Sequence, residues 1–155
     1  VKTPVEVATC REIDTDIVVV PILRAGVVMI EGILELVPTA RVGLVGLYRD
    51  EETKHPVTYY ERFPRQIKGG TCIVIDPMLA TGGSTVAALD LLKQSGAEHI
   101  VVICIVTCPE GIELVEAAHP EVKIYAAAID ERLNEKKYIV PGLGDAGDRL
   151  FGTSH

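Results

Sequence analysis

Between residues 71 and 94 the chain changes its hydrophobic period, and that switch limits the folds open to it. Residues 71–75 form a short β-branched run, the pattern of a buried strand. Residues 84–94 carry apolar side chains at 86, 87, 88, 89, 91 and 92, the spacing of a helix laid on a sheet. The turn between them, Asp76-Pro77-Met78-Leu79-Ala80-Thr81-Gly82-Gly83, starts on an acid and ends on small and hydroxyl residues. Residues 81–85 therefore place backbone N–H groups at a helix N-terminus, where unpaired amides and the helix dipole favour an anion. Hydrogen bonds to a charged group contribute about 1.5–3 kcal/mol each, so several converging donors suffice for a phosphate. Asp76 cannot be a phosphate ligand, but its acceptor oxygens suit sugar hydroxyls or a hydrated metal ion. An acid for hydroxyls beside a loop for phosphate describes a binder of a phosphorylated sugar. The bland alternative is a strand-to-helix turn with a Ser/Thr cap, which Gly82, Gly83 and Ser84 alone would satisfy.

The same alternation runs along the rest of the chain. Residues 17–23, 42–47, 99–106 and 122–129 read as strands, and residues 25–37 and 109–119 read as helices. Residues 57–60 alternate like the return limb of a hairpin, across a polar turn at 51–56. Val5 and Val7 alternate with polar neighbours, which predicts an edge strand in the first ten residues. Strand alternating with helix indicates a parallel sheet covered on both faces, an α/β doubly wound fold. Ligands of such folds gather beyond the carboxyl ends of the strands, and Arg24, Arg49 and Asp76 all follow strand patterns. Arg24-Ala25-Gly26 is a second anion-receptive turn, with Gly26 allowing close backbone approach and Arg24 able to fork onto phosphate oxygens. Strain gathers at such sites, so a cis or otherwise unusual peptide is expected between Leu23 and Gly26.

Other readings are excluded or disfavoured. A nucleotide P-loop needs GxxxxGK[ST], and no lysine follows Gly83. A dinucleotide fingerprint, GxGxxG, is also missing from this turn. With 15 basic and 22 acidic residues the net charge is −7, which argues against a broad nucleic-acid surface but not against a local basic pocket. Residues 100–106, among the longest apolar runs, are far too short to cross a bilayer. Cys72 and Cys104 lie inside strand patterns and read as small buried hydrophobes. The spacing of Cys104 and Cys108 lacks zinc partners, and a reducing cytoplasm is the simplest compartment. His55, His99, His119 and His155 show no ligand spacing and are expected to be solvated or at helix ends.

The acid, apolar residues and Thr81-Gly82-Gly83-Ser84-Thr85 after a hydrophobic strand resemble the phosphoribosyl pyrophosphate (PRPP) motif of type I phosphoribosyltransferases. Pro77 stands where many members carry a second acid. The form Asp-Pro-Met-Leu-Ala-Thr-Gly-Gly-Ser, with Tyr138-Ile139-Val140-Pro141-Gly142-Leu143-Gly144-Asp145-Ala146-Gly147-Asp148-Arg149, is similar to the uracil phosphoribosyltransferase branch. The resemblance covers nearly the whole chain. It implies a fold of phosphoribosyltransferase type, with a β-hairpin arm around Arg49 and a C-terminal hood segment. It implies conversion of uracil and PRPP to UMP and pyrophosphate in pyrimidine salvage. PRPP would be held by Arg24, Arg49, Asp76, Pro77, Met78, Leu79, Ala80, Thr81, Gly82, Gly83, Ser84 and Asp145. Uracil would meet Ile139, Gly144, Asp145 and Ala146, and Asp145, Arg24 and Arg49 would serve catalysis. Mg²⁺ would arrive mainly on PRPP, near Asp145. The family usually carries a further N-terminal segment, so residues 1–155 are expected to be a single domain that is N-terminally incomplete. A homodimer or homotetramer and allosteric GTP complete the expectations. Two rivals stand beside them: an RNA-binding attenuator on the same fold, and a binding-only chain without turnover.

Overall fold

The computed structural model describes residues 1–50 and 56–153, except the side chain of Arg49. Its centre is a mainly parallel sheet. The strands are β1 (Ile17–Leu23), β2 (Arg41–Val42), β3 (Leu44–Arg49), β4 (Pro56–Arg62), β5 (Thr71–Leu79), β6 (His99–Thr107) and β7 (Lys123–Ile129). Their order is β4-β3-β1-β5-β6-β7, with β2 also on β1. All pairs are parallel except β3 with β4, the antiparallel hairpin expected of residues 42–60. The turn expected at 51–56 lies, but for Pro56, outside the described residues. β2 and β3 act as one strand: Val19 pairs with Val42 and Ile22 with Val45, and the Gly43 N–H donates to the Val19 carbonyl at 2.9 Å.

The sequence explains this layout. β1 is a continuous apolar run buried at Val18, Val19, Val20, Pro21 and Ile22, as a strand covered on both faces must be. Val18, Val20 and Ile22 join Val45, Cys72, Val74, Leu79 and Val102 in one core with Ala88, Leu89 and Leu92 of helix α2 (Gly83–Gln94). Helix α1 (Ile30–Leu36) follows β1, and helix α3 (Pro109–Ala118) joins β6 to β7. From β1 the chain steps one way to β2 and β3, and from β5 the other way to β6 and β7. Right-handed crossovers then put the helices of the two arms on opposite faces. The reversal between β1 and β5 is a topological switch point, the place where open α/β sheets bind ligands.

Several elements differ from the sequence expectations. Residues 1–10 form no edge strand. A single bridge from Lys2 to Val7 joins an exposed loop, because no strand of the sheet lies alongside it. Residues 25–37 are not one helix: Ala25–Met29 is a 3-10 turn before the α-helical Ile30–Leu36. β5 continues past Ile75 to Leu79, since Asp76, Met78 and Leu79 pair with Cys104, Val106 and Thr107 of β6. The C-terminal segment holds a second hairpin, β8 (Arg132–Leu133) with β9 (Ile139–Val140), and a short helix α4 (Ala146–Phe151).

Candidate active site

At the switch point the ends of β1 and β5 meet the C-terminal segment around a cleft of about 300 Å³. Its walls include Leu23, Arg24 and Ala25 after β1, and Asp76, Met78, Ala80 and Ser84 from β5 to α2. The roof is Lys137, Tyr138, Ile139, Gly144, Asp145, Ala146 and Gly147. Residues from three distant parts of the sequence therefore share one hollow.

The floor is built by close packing. A Cβ on Gly26 would stand 2.5 Å from the Ile75 carbonyl oxygen and 3.1 Å from Pro21, so glycine is needed for the post-β1 turn to lie on β5. The close approach anticipated at Gly26 is thus to the protein's own backbone. The Leu23–Arg24 peptide is cis, within the turn where an unusual peptide was expected.

The start of α2 is the anion-receptive end expected of residues 81–85. Its N-cap is Gly82, with φ +81°, in the left-handed region that favours glycine. No side chain caps this end and its first turn carries no acid. The Ser/Thr-capped alternative is therefore not what the chain builds, and the first-turn amides have no partner within the helix. Beneath the loop, Thr107 Oγ1 donates to the Leu79 carbonyl at 2.9 Å and Cys108 Sγ donates to the Ala80 carbonyl at 3.4 Å. These bonds fix the backbone that leads into the loop.

Asp76 is half-buried, and burial pushes its carboxyl up to about 7; the Met78 N–H, donating to Oδ1 at 3.4 Å, opposes the rise, and the Asp145 charge adds to it. An acid so placed is poised for hydroxyls or a cation that replaces its lost water. Asp145 is the N-cap of α4, its Oδ1 accepting from the Asp148 N–H at 2.8 Å. Among the described residues no group of three or more His, Cys, Asp or Glu could hold a metal. Two cleft carboxylates that feel each other's charge nevertheless fit Mg²⁺, which binds through one or two carboxylates plus substrate phosphates.

Arg24 lies against α4. Its Nη2 is 3.4 Å from Asp148 Oδ1, its Nη1 donates to Thr153 Oγ1 at 3.3 Å, and its guanidinium sits 5.8 Å from the Phe151 ring centre. Ile139 is buried and Gly142 is held by its N–H donating to Asp130 Oδ2 at 2.9 Å. Asp130, just after β7, thus has a structural task.

Of the expected site residues, Arg24, Asp76, Met78, Ala80, Ser84, Ile139, Gly144, Asp145 and Ala146 line the cleft. Thr81 and Gly83 face an adjoining hollow with Glu110, Leu133, Asn134 and Lys137. Pro77 and Gly82 are buried, and the Leu79 side chain lies in the core, which leaves Leu79 its backbone to offer. Arg49 ends β3, and its side chain lies outside the described part. Lys137 and Tyr138 were not anticipated; their signal was adjacency to Ile139 across a turn begun by Asn134.

Cys72, Cys104 and Cys108 are free and buried, and burial pushes the thiols of Cys72 and Cys104 up to about 11, leaving them inert at neutral pH. His99 is exposed, and His119 is at a helix end, as the C-cap of α3, where it is buried with Nδ1 2.6 Å from Lys93 Nζ. His55 and His155 lie outside the described residues.

Comparison with known proteins agrees with this geometry. The family profile described as uracil phosphoribosyltransferase matches residues 1–153. A uracil phosphoribosyltransferase of Halalkalibacterium halodurans is 58% identical over 99% of this chain and 74% of its own length. One from Dictyoglomus thermophilum is 56% identical with the same coverage. A solved protein of Aquifex aeolicus superposes with a TM-score of 0.88 at 44% identity, over 99% of this chain and 74% of that one. A Giardia lamblia APRTase shares the fold at a TM-score of 0.57 and 19% identity, over 77% of this chain and 72% of that one. Motifs, sheet order, cleft and relatives converge, and the chain belongs to the uracil phosphoribosyltransferase family.

Proposed function

We infer that the cleft takes PRPP and uracil and forms UMP and pyrophosphate, a pentosyl transfer that serves pyrimidine salvage. The carrying observation is that the β1 turn, the β5–α2 loop and the C-terminal segment line one hollow. The 5′-phosphate fits the uncapped start of α2, over residues 80–84, with Asp76 accepting from the ribose hydroxyls. The pyrophosphate would lie towards Arg24 and Arg49. Uracil has two carbonyl acceptors and two N–H groups in one plane, which the exposed backbone at Ile139, Gly144, Asp145 and Ala146 can read.

A uracil ring nitrogen attacks the anomeric carbon as the bond to pyrophosphate breaks, and the nitrogen's proton leaves to solvent or to the departing group. The sugar passes through an oxocarbenium-like state, so the protein acts by positioning and electrostatics, without a covalent nucleophile. Asp145 holds metal-bound PRPP beside the base. When bound on the pyrophosphate, Mg²⁺ neutralises charge on the leaving group.

Ile103, Ile105, Tyr125 and Ile129 share one face of β6 and β7, and Ile105, Tyr125 and Ile129 are exposed there, which supports a homodimer or homotetramer. Light scattering of the eluting species tests that. GTP as an allosteric ligand rests on the resemblance and a cytoplasmic location on the unpaired cysteine pattern; no helix among the described residues is long and apolar enough to cross a membrane. The deciding experiment is UMP formation from PRPP and Mg²⁺ with uracil set against orotate, adenine and hypoxanthine. Turnover with uracil alone is the expected outcome. Binding of PRPP without turnover of any base would favour the binding-only reading, and a salt-sensitive RNA complex the attenuator.

A further inference from the structure

We propose that Lys137 is a further PRPP ligand, reaching the 5′-phosphate from the rim opposite the start of α2; this rests on the PRPP site inferred above. Lys137 lines the main cleft together with Asp76, Ser84 and Asp145. It also lines the adjoining hollow of about 400 Å³ beside Thr81 and Gly83. Lys137 thus borders both the hollow that holds Asp76 and the one beside Thr81 and Gly83.

The backbone at this position argues for use of the side chain. Lys137 has φ +66°, a left-handed conformation disfavoured for any residue with a Cβ. The turn is held by other groups. The Lys137 N–H donates to the Asn134 carbonyl at 2.9 Å, and the Asn134 N–H donates to the Tyr138 carbonyl at 2.8 Å. Asn134 Oδ1 accepts from the N–H groups of Lys136 and Tyr138, both at 3.0 Å. Glycine would suit this turn better, so the lysine is explained by what its ammonium reaches. Lys137 makes no salt bridge with a described residue. Glu110 on α3 feels its charge, but that carboxylate already accepts from the Leu133 N–H at 2.8 Å. The ammonium is therefore not pinned by a salt bridge to a described carboxylate.

The test measures binding of PRPP with Mg²⁺, ribose 5-phosphate, pyrophosphate and uracil by calorimetry, with steady-state kinetics alongside. Lys137→Met keeps the stem and removes the charge, Lys137→Gly also relieves the backbone, and Lys137→Arg restores a cation. Both neutral variants should bind PRPP and ribose 5-phosphate about tenfold more weakly, with pyrophosphate and uracil affinities unchanged. The KM for PRPP should rise while kcat holds within about twofold, since the contact is made equally before and during reaction. The loss should shrink at high salt and be largely recovered in Lys137→Arg. Lys137→Gly should also raise Tm, which separates the turn from the charge. Wild-type affinity for ribose 5-phosphate in both neutral variants, or a loss confined to pyrophosphate, overturns the assignment and leaves the PRPP site standing. A wild-type protein that binds no PRPP overturns both.

Discussion

Replacing Asp76 with asparagine should make the empty protein more stable and a worse enzyme. Burial raises this carboxyl from an ordinary 3.8 to about 7, with the Asp145 charge adding to the shift. Were that shift felt wholly in the folded state, ionising Asp76 would cost on the order of 4 kcal/mol above pH 7. The residue keeps some exposure to the cleft, and screening there reduces the figure to about 2 kcal/mol. The folded protein binds this proton more tightly than the unfolded chain does. The stabilising protonated form is therefore fully present below pH 4, and its contribution is lost as pH rises through 7. The substituted asparagine keeps an oxygen for the Met78 N–H and has nothing to ionise. At pH 8 the variant should melt about 4–8 °C above wild type, since 1 kcal/mol moves Tm by about 2–4 °C at this chain length. At pH 4 the two should melt together. PRPP should bind the variant at least about tenfold more weakly, because a charge-assisted bond to a ribose hydroxyl becomes a neutral one. Calorimetric melts at pH 4, 6 and 8, with PRPP titrations at pH 8, read both effects. Equal melting temperatures at pH 8 would refute the desolvation argument, and unchanged PRPP affinity would remove Asp76 from the ribose site.

Three further substitutions probe separate parts of the site. Asp145→Asn should lower turnover at least about tenfold with little change in Tm, because asparagine caps a helix as well as aspartate; unchanged kinetics would remove Asp145 from the mechanism. Thr81→Val should weaken PRPP binding about tenfold by deleting one hydrogen bond to a charged group, and a wild-type affinity would contradict the phosphate-loop assignment. Gly26→Ala forces a Cβ to within 2.5 Å of the Ile75 carbonyl oxygen. It should destabilise the fold by about 1–3 kcal/mol, and a melting temperature equal to wild type would mean that the β1 turn moves freely over β5.

The sheet was legible because its central strands are largely buried, so residues 17–23 and 71–75 announce themselves as apolar, β-branched runs. What local pattern could not supply was the far end of β5. Pro77 lacks an N–H and suggests a turn, yet Met78 and Leu79 pair with Val106 and Thr107, partners known to the structure and not to the stretch itself. The same blindness produced an edge strand from Val5 and Val7, which alternate correctly but find no sheet. α4 is too short for helical period to show, and its clue was Asp145, a good N-cap, placed just before it. The strand-to-helix turn at residues 80–83 was readable from small residues after a strand. Lys137 was not, because its place in the cleft depends on the β8–β9 hairpin folding back over α3.

The contacts of Arg24 are of a kind that the proposed pyrophosphate could replace without rebuilding the site. Its side chain is 52% exposed, its distance to Asp148 is 3.4 Å, and its bond to Thr153 is 3.3 Å. An exposed pair of that length contributes between nothing and about 1 kcal/mol. A guanidinium forked on a phosphate group gains more, about 1.5–3 kcal/mol per charged hydrogen bond. In the proposed complex the balance would therefore favour exchange of partners when pyrophosphate arrives, while Asp148 and Phe151 hold the guanidinium beside the cleft beforehand. Because those residues belong to α4, whose cap is Asp145, the contacts that orient Arg24 and the carboxylate proposed to face PRPP sit on the same short helix. The sheet supplies a rigid floor, and the adjustable electrostatics are confined to a rim whose bonds are weak enough to be traded.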